Sequence, residues 1–250
     1  MTETREIAPG IHRMGSEIVY WYLVEDAGGL TAVDAGLAGF QDDLEADLSS
    51  IGRRIEDVAA VILTHSDGDH TGLAATFKEA GARVLIHALD EPALRKPGPK
   101  KGDASPARQL RLMWRSGFRR FMRGMVRAGG AKPPRVEGAE TFEDGQVLDV
   151  PGSPRVVHTP GHTPGHSVLL FEGRSALFVG DAMCTWNPVD GTRDPQLLPS
   201  PLNEDNVATL GSLAAIEGLK AELLLPGHGE PWRDGPRAAA ERARSLRQSG

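Results

Sequence analysis

With 250 residues and 40% hydrophobic side chains, the chain can bury a full core, which excludes an intrinsically disordered polymer and predicts a single domain over 1–250. The lone cysteine, Cys184, excludes an intramolecular disulfide, and the polar start at 1–6 together with the lack of any apolar run of bilayer length predicts a cytoplasmic protein. The net charge of −6 is unevenly spread, because thirteen Lys/Arg and a single acid, Asp103, fall between Arg95 and Arg135, giving that segment about +12 and the rest about −18.

The first predicted elements form a hairpin. Residues 18–24 are aromatic and β-branched, the Asp-Ala-Gly-Gly at 26–29 signals a turn, and 30–34 return as the second arm. Leu44, Leu48 and Ile51 keep helical spacing up to Gly52, and the apolar run 58–63 reads as a buried strand. A helix over 72–79 is expected to stop at Gly81, ahead of a strand over 83–87. His87 is read as a strand-end residue.

The basic segment is expected to be a helical insertion at about 92–135. Within it Leu110, Met113, Trp114, Gly117, Phe118, Phe121, Met122, Met125 and Val126 follow the i, i+3, i+4, i+7 spacing of one face, which predicts one helix over 108–127. That face has three candidate roles: the wall of a pocket for a hydrophobic acyl or aryl group, packing on its own domain or in a homodimer, or contact with an anionic membrane surface. The second half begins near Glu140, with strands predicted at 146–150, 155–158, 167–171 and 175–179 between Gly or Pro turns. An amphipathic helix at 203–217, a strand at 221–225 and a terminal helix at 235–247 follow, so the alternation is that of an α/β fold.

Metal-competent side chains recur at the ends of these strands. His65, Asp67, Asp69 and His70 lie within six positions directly after the apolar run 58–63. His162 and His166 lie in the Pro-Gly-His-Thr-Pro-Gly-His at 160–166, Asp181 follows 176–180, and His228 lies in the Pro-Gly-His-Gly at 226–229. Imidazole nitrogen and carboxylate oxygen are the donors that zinc, manganese and iron accept, so the recurrence points to a hydrolytic metal site. No Gly-x-Ser-x-Gly elbow occurs and Cys184 carries no nucleophile signature, which favours an activated water over a side-chain nucleophile.

The series resembles the metallo-β-lactamase superfamily, whose His-x-His-x-Asp-His motif is followed by a lone His, a lone Asp and a final His, and the resemblance covers nearly the whole chain. It implies a four-layer αββα sandwich of two mixed β-sheets. It also implies a first metal on His65, Asp67 and His162, a second on Asp69, His70 and His228, and Asp181 bridging them. Two divalent ions are then expected, zinc first and manganese or iron as alternatives. The nucleophile would be a metal-bridging hydroxide, with Asp69 orienting it and carrying its proton to the leaving group. Asp34 would brace the site from behind without ligating, as would His166 unless it faces substrate, while His158 and His12 read as structural.

The sequence departs from that pattern at position 67, where the family's second histidine is an aspartate. An aspartate oxygen and the near nitrogen of an imidazole both lie two bonds beyond Cβ, so the exchange can preserve ligation while removing one positive charge and favouring manganese or iron. The alternative is a weak first position and a mononuclear enzyme. The expected reaction is cleavage of an ester, lactone, thioester or phosphoester bond of a small molecule. The tyrosine that lactonases of the family carry three residues after the bridging aspartate is Cys184 here, which counts against a lactonase of signal degradation, and the glutathione-binding tail of glyoxalase II has no counterpart. A di-iron redox protein of flavodi-iron type is the rival class, since those relatives carry a carboxylate at position 67, but this chain has no flavin domain. Nucleic acid is a disfavoured partner for so acidic a chain.

Overall fold

Alternation along one strand organises the molecule. In β3 (Val19–Asp26) the side chains of Val19, Trp21 and Leu23 point to one face and those of Tyr20, Tyr22 and Val24 to the other, and each set is buried in a different core. A strand buried on both faces must lie between two further layers. The structure, a computed structural model, describes residues 2–98, 100–130 and 132–248.

β3 belongs to a seven-stranded sheet whose spatial order is its chain order: β1 (Arg5–Ala8), β2 (Ile11–Ser16), β3, β4 (Gly29–Val33), β5 (Val58–Ile62), β6 (Arg83–His87) and β7 (Glu140–Phe142). Pairing is antiparallel from β1 to β4 and parallel from β4 to β7. The second sheet runs in the order β11 (Leu223–Pro226), β10 (Ala176–Gly180), β9 (Ser167–Phe171) and β8 (Arg155–His158), with only the β10–β11 pair parallel.

The three cores account for the layers. On the outer face of the large sheet, Trp21 packs edge-on against Phe77 of α2 (Ala74–Glu79) at 5.6 Å between ring centroids, beside Leu44 and Leu48 of α1 (Gln41–Ser50). Between the sheets, Tyr22 meets Phe178 at 5.3 Å and Phe178 meets Phe171 at 5.1 Å. On the outer face of the small sheet, Leu170, Leu177 and Leu224 pack on Leu213 and Ile216 of α6 (Asn206–Glu217) and on Ala239, Ala240 and Ala243 of α7 (Gly235–Gln248). The result is a four-layer αββα sandwich, in which each fully buried large apolar side chain contributes about 1.5–3 kcal/mol.

β6 and β7 are adjacent, yet residues 88–139 leave the sheet between them. That excursion carries α3 (Glu91–Arg95), α4 (Pro106–Trp114) and α5 (Ser116–Arg127). The predicted single helix over 108–127 is therefore two. Arg115 is extended at φ −69° and ψ 127°, and a Cβ at Gly117 would stand 2.2 Å from the Val189 carbonyl oxygen, so the backbone breaks where it presses on the 187–191 turn. The break resets the helical phase: Leu112, outside the predicted stripe, is buried, while Leu110, Met113, Trp114, Met122 and Val126 are exposed.

Two further expectations differ. Residues 146–150 form no strand, only a single bridge from Val147 to Arg155, because Ser153 N donates to Val150 O and turns the chain back before pairing can extend. Leu148 and Val150 still plug the core between the sheets, which is why their pattern looked like that of a strand. Strand β2 lay outside the prediction because it buries His12 and Arg13. Their polarity is answered by Glu25, 3.2 Å from His12 Nε2, and by Glu230, 2.9 Å from Arg13 Nη1. Among the described residues no helix is long and apolar enough to cross a membrane.

Candidate metal centre

All seven metal-competent residues singled out from the sequence meet at one end of the sandwich, carried by four strand ends. His65, Asp67, Asp69 and His70 follow β5, His162 follows β8, Asp181 follows β10, and His228 follows β11. Their donor atoms form three overlapping groups, His65–Asp67–His162, His65–His70–Asp181 and Asp69–His70–His228, each with its atoms within 4.8 Å of one another.

Glycine permits the close approach. A Cβ at Gly227 would come 2.4 Å from His70 Cε1, so the residue before His228 has to be bare for the two loops to meet. Gly180, at φ +47°, plays the same part before Asp181, where a Cβ would meet Thr64 Oγ1 at 2.5 Å.

Each histidine is turned by a partner on its far nitrogen. His228 Nδ1 donates to the Ile18 carbonyl oxygen at 2.7 Å, and His70 Nδ1 lies 2.8 Å from Asp34 Oδ2. His162 Nδ1 lies 3.1 Å from Asn203 Oδ1 and His65 Nδ1 2.9 Å from Thr64 Oγ1. With Nδ1 engaged, Nε2 of every ring faces the cluster, the arrangement that outer partners impose on metal-binding imidazoles.

The donors fit a divalent ion. Ligands 2.0–2.1 Å from a tetrahedral centre stand about 3.3 Å apart. Here His70 Nε2 is 3.4 Å from Asp181 Oδ1, His228 Nε2 is 3.5 Å from both Asp181 Oδ1 and Asp69 Oδ2, and His162 Nε2 is 3.3 Å from Asp181 Oδ2. His65 Nε2, His70 Nε2 and Asp181 Oδ1 are buried without a hydrogen-bond partner, which apolar burial alone would penalise and a metal would satisfy.

The charges are strongly coupled. Burial raises the Asp181 carboxyl, but His228, His70 and His162 outweigh it and hold the group well below the usual aspartate range. Burial lowers His228, yet Asp181 and Asp69 push it up to about 10. His65 is driven well below the ordinary histidine value by burial and by His70. Of the residues held in reserve, Asp34 braces the site: Oδ1 accepts from Thr64 N at 2.8 Å while Oδ2 faces His70. His166 is fully buried, so it does not face substrate. Its Nε2 accepts from Asp181 N and Ala182 N at 3.0 and 3.1 Å and shapes the loop that presents Asp181. His158 stacks on His87 at 4.4 Å, away from the cluster. Cys184 is buried, and burial raises its thiol.

Three residues escaped the sequence reading. Asp90 accepts from Ser66 N at 3.0 Å, Thr163 Oγ1 at 2.7 Å and Gly165 N at 2.7 Å, joining the loop after β5 to the loop after β8. Asn203 orients His162. Lys100 enters from the excursion and places Nζ 2.8 Å from Asp67 Oδ2 and 2.9 Å from His162 Nε2. Asp90 follows the predicted strand 83–87 at the same end as the other donors, a usable signal, whereas a lone lysine in a basic loop carries none.

Above the donors lies a pocket of about 220 Å³. Asp67, Asp69, Lys100, His162, Asp181 and His228 line its floor, and Phe118, Phe121, Met122 and Met125 of α5 line its wall together with Leu198 and Leu202. The Phe121 ring stands 5.7 Å from that of His228.

The family model described as Metallo-beta-lactamase superfamily matches residues 14–228. Two curated relatives from Bacillus subtilis (strain 168), named Probable metallo-hydrolase YqjP and YflN, are each 26% identical to the chain. The alignments cover 87% of this chain and 68% of YqjP, and 90% of this chain and 86% of YflN. A metallo-beta-lactamase family protein of known structure from Thermus thermophilus is 27% identical, with a TM-score of 0.68 over 98% of this chain and 81% of its own. BJP-1, a subclass B3 metallo-beta-lactamase of Bradyrhizobium japonicum, shares the fold at 18% identity and a TM-score of 0.67, over 99% of this chain and 91% of its own.

Proposed function

Because the chain belongs to the metallo-β-lactamase superfamily, we propose that it is a metal-dependent hydrolase that cleaves an ester, lactone, thioester or phosphoester bond in a small molecule with a compact hydrophobic group. The observation that carries this reading is the meeting of seven ligand-type side chains, from four strand ends, on the floor of a pocket with an apolar wall. His65, Asp67 and His162 are the first ligand set, Asp69, His70 and His228 the second, and Asp181 lies between them. Mixed nitrogen and oxygen donors suit zinc first and manganese or iron next.

When bound, a divalent metal acidifies a water toward neutrality and polarises the substrate oxygen under attack. The protein supplies the remainder. Asp69, at the pocket floor, takes the proton of that water on its carboxylate and hands it to the leaving group. Phe118, Phe121, Met122 and Met125 exclude bulk water and hold the apolar part of the substrate. We read 1–250 as one catalytic domain and 92–135 as an insertion that builds this wall.

The test is a panel of lactones, thioesters, aryl esters and phosphodiesters on protein of measured metal content. Turnover of one class, lost on chelation and restored by metal, supports the reading. Undiminished turnover in metal-stripped protein would overturn it.

A further inference from the structure

The Lys100 side chain is 19% exposed and reaches into the first ligand set from the segment between α3 and α4. Its Nζ contacts two of that set's three donors, Asp67 Oδ2 at 2.8 Å and His162 Nε2 at 2.9 Å, and the third, His65 Nε2, is 3.8 Å from the same Asp67 oxygen. These are the atoms a metal would bind. We propose that Lys100 serves as the resident cation of the first ligand set, so that its ammonium and a divalent metal exclude one another there, and the protein holds a single tight metal on Asp69, His70, His228 and Asp181. The inference rests on the metal-hydrolase reading and specifies it.

Hydrogen bonding and ligation use the same lone pairs. An ammonium donates along the acceptor lone pair at about 2.8–2.9 Å, whereas a metal accepts that pair at about 2.0–2.2 Å, so both cannot be satisfied at once. With His162 Nδ1 donating to Asn203 Oδ1, Nε2 is left as an acceptor, and its 3.0 Å approach to Asp67 Oδ2 sets two acceptors side by side that a shared cation, the ammonium or an ion, has to hold together. Lysine alone of the cationic side chains is compact and tetrahedral at its charge, and two of its three donors are used here, on Asp67 and His162, while His65 Nε2 stays without a partner.

Charge is compatible with a single metal beside the ammonium. One divalent ion and one ammonium balance the three carboxylates Asp67, Asp69 and Asp181. A histidine at position 67 would take away the carboxylate that Lys100 Nζ contacts directly and leave it Glu204 as a longer-range partner, in a site already crowded with imidazoles. The aspartate that departs from the family's pattern is thus the counter-ion of Lys100, and the two residues form one device.

The experiment compares wild type with Lys100→Ala and with Lys100→Met, which keeps the length of the side chain. Each chelated protein is titrated with Zn2+ and with Mn2+ in a calorimeter, its metal content is measured after gel filtration, and its fold is checked by circular dichroism. The expected result is one metal per wild-type chain and two per variant chain, with the second ion bound at least about tenfold more tightly than wild type binds it; in the Mn2+ variants, electron paramagnetic resonance shows coupling between two ions. Two metals in wild type and variants alike, or one in all, overturns the role of Lys100 and leaves the hydrolase reading intact. No metal in any of them overturns both.

Discussion

Asp34 divides its two oxygens between the backbone and the site: Oδ1 accepts from Thr64 N at 2.8 Å, and Oδ2 stands 2.8 Å from His70 Nδ1. One carboxylate therefore fixes where the loop after β5 begins and which way its last ligand faces. Asp34 adopts φ 61°, a conformation that asparagine also tolerates. Asp34→Asn should keep the fold and weaken metal binding by about 10–100-fold, the usual penalty for losing such a partner. Asp34→Ala should in addition lower stability by about 1–3 kcal/mol, because the buried Thr64 amide loses its acceptor. Metal titration and urea melts of both variants separate the two effects.

His228→Ala and Asp181→Ala should each reduce turnover by more than about 100-fold, beyond the range of an outer partner, and lower metal content while leaving the circular dichroism spectrum unchanged. Both residues lie on loops at the strand ends, outside the three cores, so neither substitution opens a cavity in the apolar packing. A variant that keeps wild-type rate and metal content removes its residue from the ligand set.

The α5 wall gives a test by contrast. Phe121 and Phe118 line the pocket, whereas Trp114, at 71% exposure on α4, does not. Phe121→Ala should raise KM for substrates with a bulky apolar group by about tenfold, the value of roughly one to two methylene groups lost from a hydrophobic pocket. Trp114→Ala should leave KM unchanged. Equal effects from both would mean that the wall is not where substrate binds.

The sequence shows the donors and hides what orients them. His65 to His70, His162, Asp181 and His228 stand out because polar donors directly after apolar runs break the pattern of a buried strand. Their supports, Asp34 apart, do not: the Ile18 carbonyl that turns His228 is backbone, and Asn203 and Thr64 are ordinary polar residues until the loops fold together. Continuous apolar and aromatic runs revealed β3, β5, β9 and β10, but β2 was masked by Arg13 and His12, whose counter-ions Glu230 and Glu25 come from other parts of the chain. Likewise, no local signal announces that Gly117 must pass under Val189 and split a helix in two.

Glu25 should give the fold a pH-dependent contribution. A hydrogen bond from Arg53, with His12 adding to it, holds the Glu25 carboxyl below its ordinary value despite partial burial. A carboxyl whose folded value is depressed stabilises above its unfolded value, about 4.3 for glutamate, and loses that contribution as pH falls through the folded value. Arg53 is 40% exposed on its side of the pair, so solvent screening limits the tie to about 0.5 kcal/mol. Glu25→Gln should be less stable than wild type by that amount at pH 7 and equal to it once the pH is below the folded value, as urea melts across the range would reveal. A difference that grows toward acid would contradict the sign.

Asp90 makes the most demanding prediction, because it acts on the site without facing it. Its side chain is buried at 1% exposure and accepts three hydrogen bonds, two from the loop that presents His162 and one from the loop that presents His65. Gly165 comes so close that a Cβ there would stand 2.7 Å from Asp90 Oδ1, so the carboxylate fills its niche completely. Asp90→Ala leaves the buried Gly165 amide, the buried Thr163 hydroxyl and the half-buried Ser66 amide without an acceptor, at about 1–3 kcal/mol each. It should therefore lower the melting temperature by about 10 °C or more. Asp90→Asn preserves volume but offers one oxygen in place of two, so Gly165 N or Ser66 N faces an NH2 group. It should lose less stability than the alanine variant and still weaken metal binding, because the loop after β8 is no longer registered against the loop after β5. Stability loss with unaltered metal affinity in both variants would make Asp90 a fold residue alone, whereas weakened metal binding in the folded asparagine variant identifies it as the positioning residue for His65 and His162.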